Sequence, residues 1–369
     1  MKLFHSATLT AAALVAAAGC VNAHGGPETK GELQEFMSRQ ESAYHCAPAV
    51  AAYTAARKRS WAQRVLGGDA LAHKNLFVDG YFQEQMGIEG RAESLEAVGK
   101  QLMECNPVQA SKIRNSTCVL APEVTEGPYY HIKGHPIRSN LAEYQIGLLF
   151  LMNVGVIDVN TCEPVPNVLV DLWHANATGS YGGHPDPRPD LVNEQPAADG
   201  VRKGLLSAYP RTKDDETWLR GALPTDANGV AEFTSIFPGY YTGRATHVHV
   251  KVHPDWTQLP NGTFISSKVL HTGQLFVEDR LNEEIDKIWP YSENPIRTLP
   301  GRGRTRNWDD SLQVYQEAQA NGYQPTFDIE LLGGVVTQGL IGYITLGINM
   351  SAPGYVGKWN PESGKAGSL

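Results

Sequence analysis

The stretch Val248-His249-Val250-Lys251-Val252 alternates β-branched apolar residues with polar ones. A period of two is the pattern of a β-strand that buries one of its faces. Other short apolar runs, separated by Gly, Pro and Asn, occur at residues 147–154, 168–173, 230–233, 326–332 and 341–348. Short strands spaced by such turns are typical of an antiparallel β-sandwich or barrel. We therefore expect a mainly β core.

The N-terminal part of the chain has a different texture. Residues 1–23 contain Lys2, a short apolar run and then Val21-Asn22-Ala23, which predicts a secretory signal cut after Ala23. A lipoprotein acylated at Cys20 is the alternative. Residues 24–110 are predicted to form a helical region, with helical patterns over 32–66 and 92–105. Residues 111–369 are predicted to form the β domain, with an irregular C-terminal extension that includes a short helical piece at 309–320.

Composition excludes several partners. The 369-residue chain has a net charge of −8 and a pI near 5.8, which argues against nucleic acid. The one stretch dense in Lys and Arg, residues 297–306, is interrupted by Gly and Pro, and we interpret it as a solvated loop. Beyond the predicted signal, no run is long and apolar enough to span a bilayer.

Cysteine usage agrees with export. Removal of residues 1–23 would leave Cys46, Cys105, Cys118 and Cys162, and an even number in an exported protein favours two disulfides. We favour Cys118–Cys162 and Cys46–Cys105, because each pair then lies within one predicted region, although the other pairings stay open. The sequons at Asn115, Asn176, Asn261 and Asn349 permit N-glycosylation in a eukaryotic source.

The densest group of chemically useful residues is residues 240–249. His247 and His249 are two apart on a predicted strand, so both imidazoles point to the same side. Such a pair suits Fe, Cu, Zn or Mn. Arg244 lies three residues before the pair, and the Pro238-Gly239 turn brings Tyr241 near it. A chance HxH on a solvated strand face is the alternative.

A second group follows the predicted strand at 168–173. Tyr181 comes just after Gly179, beyond the end of that strand, where it could reach a site at the mouth of the sandwich. The alternative is a half-buried turn aromatic. His174 follows Trp173, and we interpret it as a packing residue rather than a ligand.

Seven segments, in order between residues 118 and 276, resemble one known family. They are Thr125-Glu-Gly-Pro-Tyr-Tyr130, the Arg138-Ser-Asn block, the block from Cys162-Glu-Pro-Val-Pro through Trp173-His-Ala-Asn to Gly179-Ser-Tyr181, Thr225-Asp-Ala-Asn-Gly229, Pro238-Gly-Tyr-Tyr241, Arg244-Ala-Thr-His-Val-His249 and His271-Thr-Gly-Gln274. The chain resembles the intradiol ring-cleavage dioxygenases, specifically their extracellular, fungal-type branch. The resemblance is looser over the helical region and the C-terminal third.

The resemblance implies a set of site residues and an activity. It implies non-haem Fe(III) held by Tyr181, Tyr241, His247 and His249, and it selects Tyr241 rather than Tyr240. Catalytic roles fall on Tyr241, Arg244 and Gln274. The substrate pocket is lined by Tyr129, Arg244 and Gln274. The implied reaction opens a catechol with O₂, between the two hydroxyl-bearing carbons, to a cis,cis-muconate-type product, as in aromatic-compound catabolism.

Some features depart from the intracellular relatives. Only two residues separate Tyr241 from Arg244, where those enzymes carry a long insert, and Thr246 replaces an Ala. We find no match to the helical zipper of catechol-type relatives, so the oligomeric state is open. The competing hypotheses are a non-catalytic secreted β-sandwich that binds metal or phenolics, and a copper site at His24 of the mature chain.

Overall fold

The computed structural model describes residues 44–66, 124, 127, 129–131, 134–184, 215–298, 303–320, 325–352, 354, 359–360 and 365–366. Within these ranges no helix has the length and hydropathy needed to cross a membrane. The helical pattern predicted at 92–105, residue His24 and the signal segment lie outside the described residues.

Strands dominate the described chain. They are β1 (Leu149–Asp158), β2 (Leu169–His174), β3 (Arg220–Pro224), β4 (Val230–Ile236), β5 (His247–His253), β6 (Trp256–Gln258), β7 (Phe264–Ser266), β8 (His271–Phe276), β9 (Asp328–Leu331), β10 (Leu340–Ile348), β11 (Trp359–Asn360) and β12 (Lys365–Ala366). The helices are α1 (Ala47–Leu66), α2 (Asp279–Ile285) and α3 (Val314–Ala320), and short 3-10 turns lie before α1, between α2 and α3, and after α3. α3 lies in the predicted piece at 309–320, whereas α2 was not predicted.

Two four-stranded sheets form the body of the fold. The first has the order β4-β1-β10-β9 and the second β3-β2-β5-β8, while β6-β7 and β11-β12 are separate hairpins. Every pair within these sheets is antiparallel except β1 with β10, which are parallel. A parallel partner is possible because β10 returns to β1 only after a connection of well over a hundred residues. The mainly β expectation is confirmed.

The two sheets face each other across one hydrophobic core. Alternate residues of each strand contribute to it, as the period of two requires. They include Phe150, Met152, Val154 and Val156 on β1, Val170 and Leu172 on β2, and Val248, Val250 and Val252 on β5. The intervening residues of β5, from His247 to His253, therefore point to the opposite face of the second sheet, and they too are buried.

The helix α1 covers the outer face of the first sheet. Its Arg57 is buried, and its guanidinium donates to Asn153 Oδ1 at 2.6 Å and to Thr345 Oγ1 at 2.7 Å. Burial lowers the pKa of Arg57 to about 10. Thr54 shares a 3.0 Å hydrogen bond with Thr345. α1 thus packs on β1 and β10 through polar contacts that one helical face can reach.

The disulfide pairing predicted from regional proximity is wrong. Cys46 pairs with Cys162, with their Cα atoms 5.2 Å apart, which excludes both Cys46–Cys105 and Cys118–Cys162. Cys46 lies just before α1, and Cys162 lies in the turn after β1. Docking of α1 on the sheet brings the two together, which regional proximity in sequence did not anticipate. Cys105 and Cys118 lie outside the described residues.

Candidate metal centre

The second sheet carries a row of functional side chains on its outer face. In register, Arg220 on β3 pairs with Trp173 on β2, Trp173 with His249 on β5, and His249 with Gln274 on β8. Neighbouring residues in register point to the same side of a sheet. The row therefore places a guanidinium, an indole, an imidazole and an amide side by side, although they are far apart in sequence.

The two histidines of β5 face one another at the edge of this row. Their Nε2 atoms are 3.0 Å apart. His247 Nδ1 donates to the carbonyl oxygen of Ala245 at 2.7 Å, so its Nε2 carries the lone pair. Burial and the nearby Arg244 lower the pKa of His247 well below its ordinary value. The ring is therefore neutral, which is the form that binds a metal.

Stacking on one face fixes the plane of the His249 imidazole ring. Its ring stacks on Trp173, with centroids 4.7 Å apart and planes 5° apart. Trp173 is fully buried, so the imidazole lies against a rigid apolar surface. This packing orients His249 Nε2 toward the same point as His247.

Tyr181 reaches the pair from the loop that follows β2. Asn176 organises this loop, because its Oδ1 accepts from the backbone N–H of Thr178 at 3.1 Å and of Ser180 at 2.9 Å. Gly179 has a φ of +88°, and a side chain there would also overlap the carbonyl of Tyr240. The Tyr181 hydroxyl is 3.1 Å from His249 Nε2. The site lies on the outer face of the second sheet, beside the end of β2.

Tyr241 approaches from the opposite loop. Gly239 lets that loop lie directly against the carbonyls of Asn176 and Ala177. The Tyr241 hydroxyl is 3.5 Å from His247 Nε2. Tyr240, by contrast, packs with Ile296. The turn thus presents Tyr241, not Tyr240, to the histidines.

The four donor atoms form an uncharged cluster that suits a cation. Burial raises the pKa of both Tyr181 and Tyr241, so both phenols are protonated as long as no metal ion is bound. Two imidazole nitrogens and two phenol oxygens that face one another at 3.0–3.5 Å are a complete set of ligands for a hard metal ion. A bound cation would ionise the phenols and so add two negative charges to the site.

Arg244 connects this cluster to the rest of the site. Its Nη1 donates to the Tyr241 hydroxyl at 3.0 Å, and its Nη2 donates to the Gln274 amide oxygen. The amide nitrogen of Gln274 is buried and has no hydrogen-bond partner among the described residues. A buried donor without a partner is costly, and a ligand with an oxygen could satisfy it.

Tyr129 forms a wall over the two tyrosines. Its ring stacks on Tyr181, with centroids 4.3 Å apart and planes 5° apart, and meets Tyr241 edge-on at 5.6 Å. Arg220 holds this arrangement together, because it donates to the carbonyl oxygens of Tyr129 at 2.5 Å and of Gly182 at 2.9 Å. The structure therefore gathers every predicted site residue apart from the cysteines into one cluster.

Sequence reasoning missed two residues of the C-terminal extension. Asp310 accepts from Arg244 Nε with both carboxylate oxygens, at 3.1 Å each. Arg304 donates to Thr246 Oγ1 at 2.7 Å and pairs with Asp286. The interpretation of residues 297–306 as a solvated loop is therefore wrong for Arg304, whose side chain is only 8% exposed. Nothing in the local sequence around these residues indicates the contacts.

The chain is similar to several solved structures of dioxygenases. No protein-family model matches the chain, and no curated protein matches it. The solved structure of an intradiol ring-cleavage dioxygenase from Tetranychus urticae is 30% identical and aligns over 63% of this chain and 95% of its own, with a TM-score of 0.46. A second dioxygenase crystal structure has the same identity and coverage and a TM-score of 0.44. Catechol 1,2-dioxygenase from Pseudomonas arvilla is 18% identical over 67% of each chain, with a TM-score of 0.37.

Proposed function

The chain belongs to the intradiol ring-cleavage dioxygenases, and from that premise we propose that it is a secreted non-haem Fe(III) enzyme that opens catechols to cis,cis-muconate-type products. Its substrates are a small aromatic diol and O₂. The observation that carries the proposal is the convergence of Tyr181, Tyr241, His247 and His249. Two phenolates and two neutral imidazoles stabilise a trivalent iron over a divalent one.

The iron would be held by those four residues. When bound, Fe(III) would supply a Lewis acid that makes the hydroxyl groups of the diol more acidic. Tyr129, stacked over Tyr181, closes one side of the space next to them and gives an aromatic ring a flat surface to lie against.

Tyr241 is the residue that we assign to proton removal from the diol. Burial raises the pKa of Tyr241, so its phenolate oxygen is a strong base once it is free to accept a proton. Arg244 Nη1, at 3.0 Å, stabilises the phenolate until the substrate arrives. The proton then moves from a substrate hydroxyl to the Tyr241 oxygen.

Arg244 and Gln274 would act on the ring and its oxygens. A buried guanidinium that is already in place stabilises negative charge developing on the ring without having to reorganise. The unpartnered amide N–H of Gln274 can donate to a substrate oxygen and so orient the ring.

Oxygen uptake by the iron-loaded protein tests the proposal. The purified chain is loaded with ferric iron and mixed with catechol, 4-methylcatechol, hydroxyquinol and protocatechuate in an oxygen electrode. We expect a broad visible band from tyrosinate-to-iron charge transfer, one O₂ consumed per diol, and a product with both oxygen atoms of ¹⁸O₂. Bound iron with the visible band but no oxygen uptake from any diol would instead favour the non-catalytic binding module.

Secretion is part of the proposal. It is supported by the signal-like residues 1–23 and by the disulfide between Cys46 and Cys162, since such bonds persist in oxidising compartments. Expression in a secreting host, followed by N-terminal sequencing of the medium fraction, should give a chain that begins at His24. Retention of the whole chain inside the cell would contradict secretion but would not bear on the proposed reaction.

A further inference from the structure

Arg244 is held from three directions. The residue is 3% exposed, and its three guanidinium nitrogens contact Asp310, Tyr241 and Gln274. A guanidinium presents its donors in a rigid plane, so partners on three sides fix both its position and its orientation.

Asp310 is the acidic residue among these three partners. It is 2% exposed, and both of its oxygens accept from Arg244 Nε at 3.1 Å. Oδ2 also accepts from the backbone N–H of Ala245 at 2.8 Å, and Oδ1 from that of Leu312 at 3.1 Å. The carboxylate is thus itself locked in place by backbone donors.

The segment that carries Asp310 is fastened to the same turn at other points. The backbone N–H of Ser311 donates to the carbonyl of Gly243 at 3.1 Å. Arg304 donates to Thr246 Oγ1 at 2.7 Å. These contacts lie at both ends of the turn from Gly243 to His247. Residues 303–313 and this turn therefore pack together as one unit.

The charge of Arg244 is therefore compensated before any substrate binds. A diol that reaches the convergence point of the four donor atoms lies beside Tyr241, which Arg244 contacts. A substrate with a ring carboxylate would gain attraction from an uncompensated guanidinium, but the buried carboxylate of Asp310 opposes that attraction.

We propose that Asp310 is a positioning residue that fixes Arg244 and compensates its charge, so that the site prefers uncharged catechols over catechols that carry a carboxylate. The inference rests on the proposed function for its substrate class. It assigns to the C-terminal extension a direct part in the specificity of the site.

Binding of two monophenols to the iron-loaded protein tests the proposal. 4-Methylphenol and 4-hydroxybenzoate lack a second hydroxyl, so each binds without ring cleavage, and they differ by one negative charge. In Asp310→Asn the affinity for 4-hydroxybenzoate relative to 4-methylphenol should rise by about tenfold, the effect expected of one unit charge roughly 10 Å away in a medium of effective dielectric about 20. In Asp309→Asn, the matched change at the exposed neighbour, the ratio should change by less than about twofold, because solvent screens that charge.

Turnover separates the two parts of the proposal. With 4-methylcatechol, Asp310→Asn should lower kcat by about tenfold or more and change KM little, because Arg244 loses its fixed position for the transition state. Asp310→Glu keeps the charge but displaces the carboxylate, so it should lower kcat while leaving the affinity ratio as in the wild type. Asp310→Glu also carries the test if Asp310→Asn does not fold.

Three outcomes would overturn the inference. They are an unchanged affinity ratio in folded Asp310→Asn, an equal shift in Asp309→Asn, or a wild-type kcat in Asp310→Glu. If the wild type consumes no oxygen with any diol, the proposed function fails, and the affinity ratio alone then decides on Asp310. Absence of any monophenol binding to the wild type would overturn the inference, whereas oxygen uptake with the diols still decides the proposed function.

Discussion

Removal of the Cys46–Cys162 bridge should destabilise the protein by an amount that follows from its loop length. The bridge joins residues 116 apart in sequence. For a loop of that size the chain-entropy relation gives a loss of about 16 cal/mol/K from the unfolded state, or about 4.8 kcal/mol at 25 °C. Residual structure in the unfolded chain reduces the effect, and measured values for native bridges are about 2–5 kcal/mol. We therefore expect a Cys46→Ser, Cys162→Ser double variant to lose at least about 2 kcal/mol.

Chemical unfolding followed by circular dichroism measures the loss. The wild type and the double variant are compared in urea without reductant, and the midpoint of the variant should be clearly lower. In reductant the two proteins should unfold together, because the wild type then lacks the bridge as well. A difference below about 1 kcal/mol without reductant would refute the loop argument. Non-reducing peptide mapping that links Cys46 to Cys105 instead would refute the docking of α1 beside Cys162.

The remaining predictions concern the metal centre and acid stability. His247→Ala should lose most of its iron in metal analysis after gel filtration, since one of four donor atoms is gone; retention of full iron would remove His247 from the ligand set. Tyr241→Phe should keep part of the iron but shift the visible band and slow turnover, while Tyr240→Phe should leave the band unchanged; the reverse pattern would show that the turn is one residue out of register. Burial lowers the pKa of His271 from 6.5 to about 4, so this group contributes stability that is present above pH 6.5 and is lost as the pH falls through 4. Between pH 7 and 4.5 the protonation of His271 should lower the free energy of unfolding by about 2 kcal/mol. In His271→Gln the free energy of unfolding should therefore fall less steeply with pH. Equal pH dependence of the wild type and this variant in denaturant titrations would contradict the prediction.

Local periodicity was enough to find β2 and β5, which carry Trp173 and the two histidines, but it did not find β3 and β8, which carry Arg220 and Gln274. β5 was predicted from the alternation of Val248 and its neighbours, and the same alternation placed His247 and His249 on one side. The register of β5 is fixed because a slip by one residue would exchange its valine face, which lies in the core, with its histidine face. The positions of Tyr181 and Tyr241 could be anticipated for a related reason: each follows a glycine that a tight turn or a close backbone approach requires.

The contacts that were missed all depend on how distant segments dock. Asp310 lies 66 residues from Arg244, in a polar segment whose sequence has no period that indicates a buried face. The pairing of Cys46 with Cys162 likewise depends on how α1 packs against the first sheet. Neither contact follows from neighbouring residues in the sequence. A polar side chain is tolerated in the interior only when it has a hydrogen-bond partner, and here the partners come from distant segments.

The row from Arg220 to Gln274 gives the site a rigid base, because sheet register fixes the positions of its members. Sheet register alone brings Trp173, His249 and Gln274 side by side, and the strands β2, β5 and β8 are held together by backbone hydrogen bonds and by the valine core beneath them. The loops supply Tyr129, Tyr181, Tyr241, Arg244 and Asp310. Three of these residues contact the row directly: Tyr129 accepts from Arg220, Tyr181 lies against His249, and Arg244 donates to Gln274. A loop substitution should therefore alter ligand geometry or substrate charge preference without displacing the histidines, whereas a core substitution under β5 should displace the histidines together.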